Sequence, residues 1–107
     1  MTPRADRQFV DCPVQFTRDD GVTGEGRIFN VSLDGCAVRS RTPVVEGMYL
    51  SLTIEGLGDP PISIELARTR WASSDEFGVK FLILYQKHRH ALLRWLQAIA
   101  SGRKVET

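Results

Sequence analysis

The chain has 107 residues and a formal net charge of +1, with 42% hydrophobic and 25% charged residues. These are the proportions of one ordinary folded domain over residues 1–107, too small to enclose a large active site. The near-neutral charge argues against a nucleic-acid polymer as partner, no run approaches the ~20 apolar residues of a membrane span, and the polar residues 1–11 have no leader-like apolar stretch, so the expectation is a cytoplasmic protein without membrane insertion.

Residues 1–8 form a polar arm that carries Arg4 and Arg7 and shows no periodicity. From Phe9 to Arg18 the apolar residues alternate through Val10, Cys12, Val14 and Phe16, the period of a half-buried strand. Pro13 removes a backbone donor and predicts a sheet edge or a bulge there. Asp19-Asp20-Gly21 predicts a turn into a second strand over Val22 to Asn30. Asn30 to Gly35 reads as a turn and Cys36 to Ser40 as a short third strand. Thr42-Pro43 and Glu46-Gly47 bound a loop before a fourth strand, Met48 to Ile54.

The Gly56-to-Pro61 stretch is a strong turn signal. A fifth strand follows over Ile62 to Trp71, where the alternation slips at Leu66-Ala67 and predicts a bulge. Glu76 to Leu84 forms a sixth, with Gly78 allowing close approach of a neighbour. From Gln86 to Ser101 the period changes: His88, Ala91, Leu92, Trp95, Leu96 and Ile99 make the stripe of an amphipathic helix. Gly102 is the expected C-cap, with Arg103 and Lys104 suited to the negative end of the helix dipole. Six strands over residues 9–84 and one helix over 86–101 predict an all-β fold, a closed or nearly closed antiparallel barrel with the helix across one opening or one edge.

No nucleophile stands with a base, no phosphate-binding loop is present, and no metal-ligand spacing occurs, so no catalytic or metal residues are assigned and an enzyme is not expected. Cys12 and Cys36 share alternating faces with apolar residues and read as buried thiols. His88 and His90 read as helix surface and boundary residues. Asp19-Asp20 and Asp75-Glu76 lie in predicted turns, where solvation accounts for them.

Four features can meet a ligand. Arg4 and Arg7 offer planar forks of donors that match phosphate oxygens and guanine; on composition alone a solvated arm is the simpler account. Asn30 and Ser32 are two apart, so an extended segment presents an amide and a hydroxyl on one face. Gly35 is free to adopt positive φ at the turn; a turn bonded to its own backbone is the competing account. Arg39, Arg41, Arg68 and Arg70 read as solvated strand faces, and Trp71 reads as core, with stacking on a base as the alternative.

Asn30-x-Ser32-x-x-Gly35, the upstream arginines and a strand containing Gly78-Val79-Lys80-Phe81, preceded by Ala67-x-Thr69-x-Trp71, resemble the PilZ domain family over about residues 4–99. The resemblance implies a six-stranded antiparallel barrel with a terminal helix. It also implies a receptor for cyclic di-GMP that passes the signal to a downstream protein partner, with no other cofactor. In that reading Arg4 and Arg7 clamp phosphates and guanine edges, Asn30 and Ser32 hydrogen-bond the ligand, and Gly35 sets the turn. The family's arginine motif is Arg-x-x-x-Arg. Here it is Arg4-x-x-Arg7, so Arg7 matches the second arginine and Arg4 stands one residue out of place. An adaptor that binds no nucleotide and acts through protein contacts, for example in motility or pilus assembly, is the alternative.

Overall fold

The structure, a computed structural model, describes residues 7–55 and 60–101. Six strands, β1 (Gln8–Arg18), β2 (Thr23–Ser32), β3 (Gly35–Ser40), β4 (Tyr49–Ile54), β5 (Ile62–Ala72) and β6 (Glu76–Ile83), precede one helix, α1 (Gln86–Ala100). The strands close a wholly antiparallel barrel in the order β1-β2-β3-β6-β5-β4.

The period-2 patterns dictate which residues enter the barrel. Val14 and Phe16 of β1, Ile28 and Val31 of β2, Leu50, Leu52 and Ile54 of β4, and Ile62 and Ile64 of β5 all point inward and are almost wholly buried. Phe16 and Phe77 meet edge-to-face across the interior, with centroids 5.3 Å apart. Cys12 and Cys36 belong to the same core as free thiols.

Closure removes any sheet edge, so Pro13 occupies a different niche from an edge position. Its carbonyl accepts from the Glu55 N–H at 3.0 Å, which turns its donorless nitrogen toward β4. The β1–β4 ladder runs from Val14–Ile54 onward, so the reciprocal bond that Pro13 cannot donate falls at the ladder's end. A register shift between Phe9 and Cys12 lies just upstream. The slip foreseen at Leu66-Ala67 is a shift in the β5–β6 register, and the β4–β5 register shifts at the same level, between Leu50 and Leu52.

The segment from Asn30 to Gly35 is mostly strand. β2 continues through Ser32 and β3 begins at Gly35, leaving Leu33-Asp34 as a two-residue connection. Among the described glycines, Gly21 and Gly47 are at positive φ and Gly35 is not. Its need is closeness: a Cβ on Gly35 would stand 2.3 Å from the Val79 carbonyl oxygen of the neighbouring β6.

The helix lies chiefly against β5 and β1, which flank β4, so it spans a barrel opening. Leu92 is fully buried in the barrel core, and Ala91, Trp95 and Leu96 pack around it. Complete burial of such a side chain is worth about 1.5–3 kcal/mol. His88 ties the helix to the wall, its Nδ1 accepting from the Ser63 N–H at 3.1 Å. The helix closes on Ser101, whose N–H reaches Gln97 O at 3.0 Å. The expected cap Gly102, with Arg103 and Lys104, lies outside the described residues, as does Arg4. No described helix is long and apolar enough to cross a membrane.

Candidate functional site

One cross-strand row shapes the outer wall. Phe9 of β1 pairs with Asn30 of β2, Asn30 with Ala37 of β3, Ala37 with Gly78 of β6, and Gly78 with Trp71 of β5. Directly paired residues put their side chains on the same face. The middle of the row therefore holds a methyl group and a hydrogen, while its flanks hold an amide and an indole. The result is an open depression of about 570 Å³ floored by Ala37 and Gly78.

The cations converge on that depression from three elements. Arg7 enters from the start of β1, and its Nη1 donates to Asn30 Oδ1 at 2.8 Å. Lys80 stands two residues past Gly78 on the outer face of β6, opposite Gly35. Arg70 comes from β5, where a register shift between Thr69 and Trp71 breaks the alternation. That bulge places Arg70 and Trp71 outside together, although they are adjacent in sequence.

Trp71 is consequently not a core residue: it is 43% exposed. The indole rests on Gly78, where a Cβ would come within 2.1 Å of Nε1 and 2.5 Å of Cε2. Only glycine leaves room for it. The arrangement is a flat aromatic surface with three cations around it, suited to a ligand with a π-face and negative charge.

The predicted site residues separate here. Arg7, Asn30 and Gly35 line the depression, whereas Ser32 does not. Ser32 is fully buried, and its hydroxyl donates to Asp34 Oδ1 at 2.7 Å. It thus braces the connection between β2 and β3. Two lining residues, Asp34 and Lys80, were not singled out from the sequence as ligand groups. The signal for Lys80 was its outward position two residues from Gly78. Asp34 carried none, because a carboxylate beside glycine in a turn is ordinary.

The other strand arginines have different partners. Arg39 pairs with Glu76 at 2.6 Å and lies 4.8 Å from the Phe29 ring centroid. Arg68 sits 5.8 Å from the Tyr49 ring centroid, and Arg41 is exposed. Beneath the depression, burial pushes the Cys36 thiol up to about 12, with Cys12 adding to the rise and Arg7 opposing it. Cys36 is therefore a neutral part of the floor rather than a nucleophile.

Two further depressions carry other chemistry. One, on the outer face of β1, β2 and β4, is lined by Thr17, Thr23, Ser51 and Thr53 and by Glu25. The other is an apolar groove between α1 and Pro60-Pro61, flanked by Lys87 and Arg94. Neither combines an exposed aromatic face with converging cations on a floor of small residues.

The sequence matches the family model of the PilZ domain over residues 2–98. Solved structures resemble the fold. The PilZ domain of CeSA from a cellulose-synthesizing bacterium aligns with a TM-score of 0.71 at 16% identity, over 90% of this chain and 99% of that one. MotI (DgrA), the Bacillus subtilis inhibitor of motility, aligns with a TM-score of 0.75 at 18% identity, over 96% of this chain and 54% of that one. Escherichia coli YcgR, in a complex with c-di-GMP, aligns with a TM-score of 0.77 at 17% identity, over 94% of this chain and 47% of that one. The chain thus spans about half the length of MotI and YcgR. No curated protein matches it by sequence.

Proposed function

The chain belongs to the PilZ domain family, and from that premise we propose that it is a receptor for cyclic di-GMP that passes the binding signal to a protein partner. The observation that carries this reading is the exposed Trp71 indole seated against Gly78 in the depression that Arg7, Arg70 and Lys80 also line. Cyclic di-GMP is a dianion with two flat bases. A guanine stacks on the indole, and the guanidinium and ammonium groups take the phosphates. Asn30 holds Arg7 through its amide oxygen and keeps its NH2 group for the ligand. Arg4, upstream of the described residues, adds a further cation to the arm. YcgR, similar in fold, is itself known in a complex with c-di-GMP. The work of such a domain is binding rather than catalysis.

Calorimetric titration of cyclic di-GMP into the wild type and Arg7→Ala tests the reading. A hydrogen bond to a charged group contributes about 1.5–3 kcal/mol, so Arg7→Ala should weaken binding roughly ten-fold or more. Absence of a heat signal from the wild type at high micromolar ligand would sink the receptor.

A second reading, an adaptor that needs no nucleotide, is favoured by one observation. Leu82, Ile83 and Tyr85 are exposed where β6 runs into α1, and such runs of exposed apolar residues mark docking surfaces. A partner captured equally well with and without cyclic di-GMP, and lost on Leu82→Glu, supports the adaptor.

A further inference from the structure

Among the described residues, the depression contains one carboxylate beside its cations. Asp34, in the connection between β2 and β3, lines it together with Arg7, Arg70 and Lys80. A carboxylate at an anion site calls for a reason, since it repels phosphate by the same Coulomb law through which the cations attract it. Neutralisation by a neighbour is the common reason. Among the described residues, however, no ion pair includes Asp34.

What holds Asp34 is a hydroxyl and the backbone. Ser32 Oγ donates to Oδ1 at 2.7 Å and accepts the Asp34 N–H at 3.4 Å. The Asp34 carbonyl accepts the Phe81 N–H at 2.9 Å. The group is anchored through Oδ1, while Oδ2 has no hydrogen-bond partner among the described residues. An oriented, acceptor-only group at the edge of a ligand site suits a ligand that brings donors.

We propose that Asp34 reads the base: its carboxylate accepts from N1–H and the exocyclic N2–H of a guanine held in the depression. This rests on the cyclic di-GMP reading given above. Guanine presents two adjacent donors on that edge. Adenine presents one donor and one ring-nitrogen acceptor, whose lone pair would face a carboxylate oxygen. Gly78, under the indole, and Lys80, opposite the glycine that follows Asp34, are two residues apart on β6, about 7 Å at strand rise, so the indole and the Asp34 connection border the same depression. Ser32 becomes a positioning residue, and the buried hydroxyl is useful for the direction it gives to Asp34.

The test is calorimetric binding of cyclic di-GMP and cyclic di-AMP to the full chain as wild type, Asp34→Asn and Asp34→Ala, with thermal melts of each. Asp34→Asn keeps an oxygen for the Ser32 hydroxyl but puts an N–H donor where guanine needs an acceptor. The wild type should prefer cyclic di-GMP by about ten-fold or more, the margin of one base-edge pair. Asp34→Asn should shrink that ratio at least ten-fold, and Asp34→Ala should shrink it by weakening guanine alone, with little change in the melts. An unchanged ratio in both variants overturns the proposal. So does equal tightening of both nucleotides, which would make Asp34 merely a repulsive charge. If the wild type binds cyclic di-GMP and the ratio still fails to move, this proposal falls alone. If the wild type binds neither nucleotide, the receptor reading falls and takes this proposal with it.

Discussion

The Trp71–Gly78 contact shows how one missing methyl group can create a binding surface. An indole left exposed on a strand has many rotamers, and a ligand must restrict them. Seated on Gly78, it is already restricted. Gly78→Ala would place a Cβ 2.1 Å from Nε1, so the indole must leave its seat. Because Trp71 borders solvent, it has somewhere to go, and the stability cost should stay near the low end of overpacking, about 1 kcal/mol. The expected result is a red-shifted Trp71 emission and loss of cyclic di-GMP affinity comparable to that of Arg7→Ala. Retained affinity with a displaced indole would show that stacking is not used. Ser32 makes a related point. Its position in a ligand-like pattern was legible, but burial turns its hydroxyl to Asp34, and burial depends on strands distant in sequence.

At the scale of elements, the bulges decide which side chains face the ligand. The shift between Thr69 and Trp71 brings two consecutive residues of β5 to the outside, where strict alternation would bury one of them. That is why Trp71 reads as core in the sequence. The Leu66-Ala67 slip was readable, because it breaks an apolar pattern. The second shift, between Thr69 and Trp71, is disguised, because a large aromatic residue fits either face. The helix is the opposite case: its stripe is plain, and it is used as read. Leu92→Ala should cost about 2–5 kcal/mol, as for other large-to-small core changes, measured by urea denaturation. A loss below 1 kcal/mol would mean that the barrel end is closed without α1.

Over the whole molecule, closure of the barrel dries its interior and sets the behaviour of the thiols. Burial pushes Cys12 up to about 11 and Cys36 up to about 12, from the ordinary 9.0. The folded chain therefore holds these protons more tightly than the unfolded chain. Their contribution to stability is complete below about pH 9 and declines as pH rises through the folded values. Denaturation midpoints should fall as pH rises from 9 toward 11, and a Cys12→Ala, Cys36→Ala variant should fall less steeply over that interval. Equal slopes would assign the decline to other groups.

The order of six strands and one helix, the inward-facing residues and the family resemblance are legible in the sequence, because each follows from local periodicity and short spacings. Of the five site residues it offered, Arg7, Asn30 and Gly35 line the depression, Ser32 is buried behind it, and Arg4 lies outside the described residues. Assembly of the barrel was needed to show that Trp71, Arg70 and Lys80 line one depression with Gly78, that the Ser32 hydroxyl bonds Asp34, and that Gly35 serves the approach of β6 rather than a positive-φ turn. Those outcomes depend on register between strands far apart in the chain. A shift of one residue there moves a side chain to the opposite face, and no local pattern records it.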